Sequence, residues 1–360
     1  MKFLHMADMH FDTPFTTLNS KGDFGKIRRL DQREILKKII EYIKENKIEY
    51  LFIAGDFYEH EYIQKSTIEY INKLFEEIPE TKIFITPGNH DPYLKNSMYD
   101  LFSWSKNVKI FSSKIEIVET ENVDIYGVGF DDFYCSNLGV ENIQIKNPNK
   151  INVLITHGSL DTSKQAEIQY NPMKKNQLKK LGFDYIALGH IHKPDYNIEE
   201  NQNIIYPGST ISRGFDELGK HGVIVGNIEK NNLKIEFIPM DNKEFQELQF
   251  SVDNILDIET LAQKLNELIL EKNNLYKIIL IGKRKFEISV STLYKLIQSE
   301  NIIKIKDKTE PDINIEELAN ETSLRGIFVS EILEEMKKNN YTQEELEKAL
   351  EIGLSVLDKS

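Results

Sequence analysis

One cysteine in 360 residues rules out an internal disulfide, and with no Cys-x-x-Cys pair any metal must rest on imidazole and carboxylate donors. Long apolar runs are missing too. None approaches the roughly twenty residues of a membrane span, and the N-terminus enters a strand-like run without the basic segment and cleavage site of a secretory signal. A cytoplasmic chain without membrane contact is therefore expected. An excess of basic charge is also lacking: 45 Lys and Arg stand against 58 Asp and Glu, a net charge of -13. Such a balance gives no global attraction to nucleic acid and counts against a free-standing DNA binder. It leaves a DNA-bound role open, because divalent cations invert the local field and a partner subunit can supply basic surface. The short basic clusters Lys26-Arg28-Arg29, Lys174-Lys175 and Lys283-Arg284-Lys285 read as solvated faces. No internal repeat or low-complexity tract stands out.

What the chain does have is a recurring pairing of apolar, strand-like runs with metal-binding residues. Phe3 to Ala7 precedes Asp8 and His10; Tyr50 to Ala54 precedes Gly55-Asp56; Lys82 to Thr86 precedes Gly88-Asn89-His90-Asp91. Ile151 to Ile155 precedes His157-Gly158, and Tyr185 to Leu188 precedes Gly189-His190-Ile191-His192. Five of the eight histidines lie in the segments that follow these runs. Strands that stop at a common sheet edge deliver such residues to one crevice, so the pieces read together as a two-metal hydrolase site.

Each piece alone has a plain structural reading. Asp8 and His10, two apart, point the same way in an extended chain and can hold one ion, but that spacing is common. His190 and His192 share it, with Gly189 allowing a close turn. Asp56 can bridge two cations through its two oxygens, yet Gly-Asp also marks ordinary turns. Gly88 to Pro92 is the most specific: the Asn89 carbonyl suits a hard divalent ion and His90 can face a substrate, although an Asn-Gly type turn accounts for it equally well. The combination in order is what separates function from accident.

A length of 360 residues predicts a large domain with an appendage. Ile27, Leu30, Ile35, Leu36, Ile39, Ile40 and Ile43 recur at helical spacing, and a second helix is expected from Ser66, with Glu69 completing a capping box, to Pro79. With strands at 123–128, 222–226 and 233–238, an α/β two-sheet sandwich flanked by helices fits residues 1–245. Residues 246–310 read as a small α+β cap, with a helix through Leu261 and Leu265 and strands at 276–281 and 286–290. Residues 311–360 read as a helical partner-docking segment, with one stripe through Ile327, Phe328, Ile332, Leu333 and Met336 and a second helix capped by Thr342 and Glu345.

The motif series Asp-x-His, Gly-Asp, Gly-Asn-His-Asp, His-Gly, Gly-His-x-His resembles that of the calcineurin-like metallophosphoesterases. Residues 7–15, 183–193 and Tyr206-Pro207-Gly208-Ser209 are similar to the SbcD/YhaO type of DNA repair exonuclease. The resemblance covers roughly residues 1 to 240. It implies the αββα fold of that family and two divalent ions, expected to be Mn²⁺. Asp8, His10, Asp56 and His192 would hold one; Asp56, Asn89, His157 and His190 would hold the other. It further implies His90 as the group that contacts the scissile phosphate or protonates the leaving oxygen, and Asp91 as a carboxylate orienting a histidine. DNA as substrate, a role in repair and an SbcC-like coiled-coil ATPase as partner follow from the same likeness, with a homodimer left open. Where some nucleases of the group have a histidine three residues after the bridging aspartate, this chain has Glu59, and His60 comes one position late. The alternative reading is a phosphodiesterase or phosphatase acting on small nucleotides or other phosphoesters, which the acidic charge favours.

Overall fold

Alternation along the first strands builds the layers. In β1 (Lys2–Met6) Phe3 faces one core while Leu4 and Met6 face another, and β2 (Tyr50–Ala54) and β3 (Lys82–Thr86) divide their side chains in the same way. The computed structural model describes residues 1–15, 24–161, 170–201, 203–230, 232–312, 315–338 and 341–357. Two compact units are present: Met1–Leu248 with Leu270–Lys277 and Glu300–Lys304, and Gln249–Ile269 with Ile278–Ser299 and Ile305–Ser360.

In the first unit β1, β2, β3 and β4 (Val108–Ile110) run parallel. The second sheet contains β5 (Glu116–Glu119), β6 (Val123–Gly127), β7 (Ile151–His157), β8 (Tyr185–Gly189) and β9 (Ile204–Ile205), in that spatial order, parallel except for β5. Two more strands, β10 (Gly222–Glu229) and β11 (Asn232–Pro239), extend the first sheet antiparallel on the far side of β1. The sheets face each other across Phe3, Phe52, Phe84, Ile125, Val153, Ile155 and Tyr185. Helices α1 (Phe24–Asn46) and α2 (Lys65–Glu76) cover the outer face of the first sheet through Ile35, Leu36, Ile39, Ile68 and Ile71. The outer face of the second packs on short turns that carry Val140, Leu178 and Phe183. This is the expected sandwich with helices outside.

Several local expectations need correction. Ile27 and Leu30 are 42% and 56% exposed, whereas Arg28 and Gln32 of the same helix are buried. Arg28 is therefore no solvated basic residue: it donates to Asp241 at 2.6 Å, to Asp31 at 3.0 Å and to the Ser212 carbonyl at 2.7 Å. Apolar periodicity misplaced the first turns of α1 because a buried ion pair supplies the anchor there. Helix α2 starts one residue before Ser66, and its N-cap Gln64 makes no side-chain capping bond. The second unit contains helices Ile258–Asn266 and Val290–Leu296, capped by Asp257 and Ser289. Residues 286–289 form no strand; Ser289 instead caps the next helix through the Thr292 N–H. Helices Leu324–Lys338 and Gln343–Leu357 pack through Leu318, Val329, Leu350 and Leu354. Thr342 and Glu345 make the reciprocal box, the Thr342 N–H donating to the Glu345 carboxylate at 2.8 Å and the Glu345 N–H to the Thr342 hydroxyl at 3.3 Å. Among the described residues no helix is long and apolar enough to cross a membrane.

Candidate metal centre

Strands β1, β2, β3, β7 and β8 end at one edge, and the segments that follow or finish them carry all the anticipated ligands. Asp8, His10 and His192 offer donor atoms within 4.8 Å of one another, as do His10, Asp56 and His90, and Asp56, His157 and His190. His10 and Asp56 each belong to two of these groups and so link all three. Asn89 joins through its side-chain oxygen, 3.2 Å from His157 Nε2. The structure thus brings together Asp8, His10, Asp56, Asn89, His157, His190 and His192, with His90 beside them.

Convergence is not achieved by strand alternation. Asp8, His10, Asp56 and His190 have φ of 50°, 48°, 49° and 104°, in the left-handed region where side chains other than glycine's are strained. Such conformations cost about 1–3 kcal/mol each and survive where surrounding bonds impose them. Here the Asp8 N–H donates to the Gly55 carbonyl and the His10 N–H to the Asp56 carbonyl, at 3.1 and 2.9 Å. The His190 N–H donates to the Asp8 carboxylate at 3.0 Å and the His90 N–H to that of Asp56 at 2.8 Å. Gly189 is needed for a close approach and not for a turn: a Cβ there would lie 1.8 Å from the Ala54 carbonyl oxygen.

The donor set fits cations on its own hydrogen-bond logic. His10 Nδ1 donates to Glu59 at 2.8 Å, which leaves the neutral ring a bare lone pair on Nε2, while His192 Nδ1 lies 2.7 Å from Glu217 and 3.0 Å from the Arg213 guanidinium. The Nε2 atoms of His10 and His192 lie 3.3 Å apart. His157 repeats the pattern, with Nδ1 donating to the Ala54 carbonyl at 2.9 Å and Nε2 turned toward the oxygens of Asn89 and Asp56 at 3.2 and 3.4 Å. Facing oxygens and ring nitrogens in a buried place need positive charge between them, supplied by a ring proton at His157 or by a cation.

The titration behaviour follows the same crowding. Burial pushes His10 and His190 down to about 3, keeping both imidazoles in the neutral, ligating form. For His157 and His90 burial also opposes the charged form, but Asp56 outweighs it and both rise to about 9. Asp8 is raised to about 6, chiefly by burial, while the histidines around Asp56 overcome its burial and hold it well below the usual carboxylate range.

Asp91 departs from its expected role. Its carboxylate accepts from the backbone N–H groups of Asp56, Phe57 and Gly88 and from the Tyr99 hydroxyl, so it fixes the loops that bear the ligands and touches no imidazole. The histidine-orienting carboxylates are Glu59 and Glu217, which sequence reasoning passed over. Glu59 accepts from both His10 Nδ1 and His90 Nδ1, the second at 2.9 Å. A carboxylate or backbone carbonyl commonly stands behind a metal-binding imidazole, but no spacing rule points to Glu217, which lies 25 residues from His192. Arg213 donates to Glu217 at 3.1 Å and lines the crevice, about 860 Å³ in volume, together with His90, Tyr170, His190 and Lys193. His60 lies with its ring against Phe133 and its N–H on the His90 carbonyl.

Comparison with known proteins follows the same line. The calcineurin-like phosphoesterase family model matches residues 1–194, more than half of the chain. The chain is 26% identical over 247 residues to the uncharacterized metallophosphoesterase YhaO of Bacillus subtilis, covering 66% of this chain and 60% of that protein's length. It is 28% identical over 297 residues to the SbcD subunit of the SbcCD nuclease of Staphylococcus epidermidis, covering 72% of this chain and 74% of that one. The corresponding subunit of Staphylococcus saprophyticus is 26% identical over 297 residues, covering 71% and 73%.

Proposed function

This chain belongs to the calcineurin-like phosphoesterases, a family of metal-dependent phosphoester hydrolases, and from that premise we propose that it cleaves phosphodiester bonds of DNA as the nuclease subunit of a repair complex. The observation that carries the reading is the meeting of seven buried or half-buried donors around Asp56 at the floor of an open crevice. Asp8, His10, Asp56 and His192 would hold one divalent ion, and Asp56, Asn89, His157 and His190 the other, with Mn²⁺ the proposed metal. When bound, the two ions supply positive charge for the phosphate oxygens and lower the pKa of water.

The chain's own groups do the rest. His90 is anchored by its backbone N–H on Asp56 and its Nδ1 on Glu59, so Nε2 is the ring nitrogen left for a substrate. Glu59, accepting from Nδ1, favours the protonated ring, in which Nε2 carries a proton that can pass to the leaving oxygen. Lys193 and Arg213 stand on the crevice wall beside Asp216 and Glu217, with Arg213 paired to Glu217. The proposal extends to an SbcC-like coiled-coil ATPase as partner, docked on the helical segment 311–360, to the cap at 246–310 and to a cytoplasmic setting. The likeness to the SbcD subunits of two SbcCD nucleases supports it. The second reading, hydrolysis of small nucleotides or other phosphoesters, is favoured by the net charge of -13.

Incubating Mn²⁺-loaded protein with end-labelled single- and double-stranded DNA, and separately with bis-p-nitrophenyl phosphate, tests the choice. Cleavage of both classes is expected. Cleavage of the small ester alone would replace the DNA reading by the second one.

A further inference from the structure

Beside the candidate metal centre the first unit carries one half-buried and two exposed aromatic rings. Tyr170 lines the crevice with its ring 5.3 Å from that of His190, and the Tyr134 ring follows at 5.7 Å. Tyr134 is 57% exposed and its neighbour Phe133, in contact with the His60 ring, 44%. Their placement is built in. The Asn171 N–H donates to the Cys135 carbonyl at 2.7 Å, the Asn171 side chain accepts from the Leu138 N–H at 3.0 Å, and the Ser159 N–H binds the Tyr170 carbonyl at 2.9 Å. Two loops are thereby tied together with Tyr134 and Tyr170 on the same side as His190.

Resting on the DNA reading above, we propose that Tyr170 and Tyr134 form a stacking site for the unpaired nucleobase of the nucleotide whose phosphate lies at the metal centre. The chemistry selects a base over a phosphate backbone. An aromatic ring offers its face to any base, independent of sequence. The adjoining carboxylates of Asp131 and Asp132 are exposed and repel phosphates passing over this loop. Inside a duplex both faces of a base are covered, and at a blunt end one face is covered and the edge is paired, so a base that can turn onto the tyrosine rings comes from a frayed or single-stranded end. The protein would thus select unpaired termini by stacking, without reading sequence.

Single strands ending in an abasic tetrahydrofuran residue, at the 3′ or the 5′ end, are compared with otherwise identical intact strands. The wild-type protein is expected to cleave an intact end about five- to a hundredfold faster in kcat/KM than the matching abasic end. That ratio falls toward one in Tyr134→Ala and Tyr170→Ala and is retained in Tyr134→Phe and Tyr170→Phe. Because it is taken within each protein, losses of folding or metal cancel. Equal rates on intact and abasic ends in the wild type, or an unchanged ratio in Tyr134→Ala, would overturn the stacking site and leave the DNA reading standing. Cleavage of bis-p-nitrophenyl phosphate with none of any strand would overturn both.

Discussion

Replacing Glu59 by glutamine isolates a side chain that accepts from two imidazoles of the centre at once. Its oxygens accept from His10 Nδ1 at 2.8 Å and from His90 Nδ1 at 2.9 Å, with the side chain only 13% exposed. Glutamine has one acceptor oxygen and one amide that only donates, so one of the two rings loses its acceptor. If that ring is His10, the pairing is restored only by moving the ring proton to Nε2, the atom that must face the ion. If it is His90, the proton to be delivered is no longer held against a carboxylate. A hydrogen bond to a charged group is worth about 1.5–3 kcal/mol, and loss of a carboxylate behind a ligating histidine typically costs 10–100-fold in metal affinity or activity. We therefore expect Glu59→Gln to weaken the Mn²⁺ site containing His10 or to lower kcat on bis-p-nitrophenyl phosphate, by roughly 10–100-fold in either case. Calorimetric Mn²⁺ titration beside steady-state kinetics separates the two. Wild-type affinity together with wild-type turnover would refute the assignment of Glu59 as a positioning residue.

His90→Ala is expected to reduce hydrolysis by about 10²–10⁴-fold with both ions still bound, whereas Asp56→Ala loses metal from both sites; Mn²⁺ titration of each variant distinguishes them. Arg28→Met strands the buried Asp241 carboxylate and should cost about 3–5 kcal/mol in urea unfolding, with much of the loss recovered in Arg28→Met/Asp241→Leu. Gly189→Ala drives a methyl into the Ala54 carbonyl, so its thermal midpoint should fall by roughly 2–12 °C. Truncation after residue 310 should abolish co-purification with a coiled-coil ATPase; retention of that partner would move the docking surface elsewhere.

Strand-like runs ending in Asp, Asn and His were enough to anticipate the sandwich and the meeting of seven candidate side chains at one place, because periodicity and residue chemistry are local properties that survive in a linear reading. The side chains that tune the site were not legible in the same way. Glu217 reaches His192 across 25 residues, and Glu59 touches both His10 and His90 only because the loops after β1, β2 and β3 fold over one another. Asp91, read as a partner for a histidine, turns instead to the backbone N–H groups of Asp56, Phe57 and Gly88. Which side chains are candidates for the site was thus written in the residues. How Asp8, His10, Asp56 and His190 point at a common centre was decided by left-handed turns that no residue here adopts by preference, and only long-range hydrogen bonds hold them there.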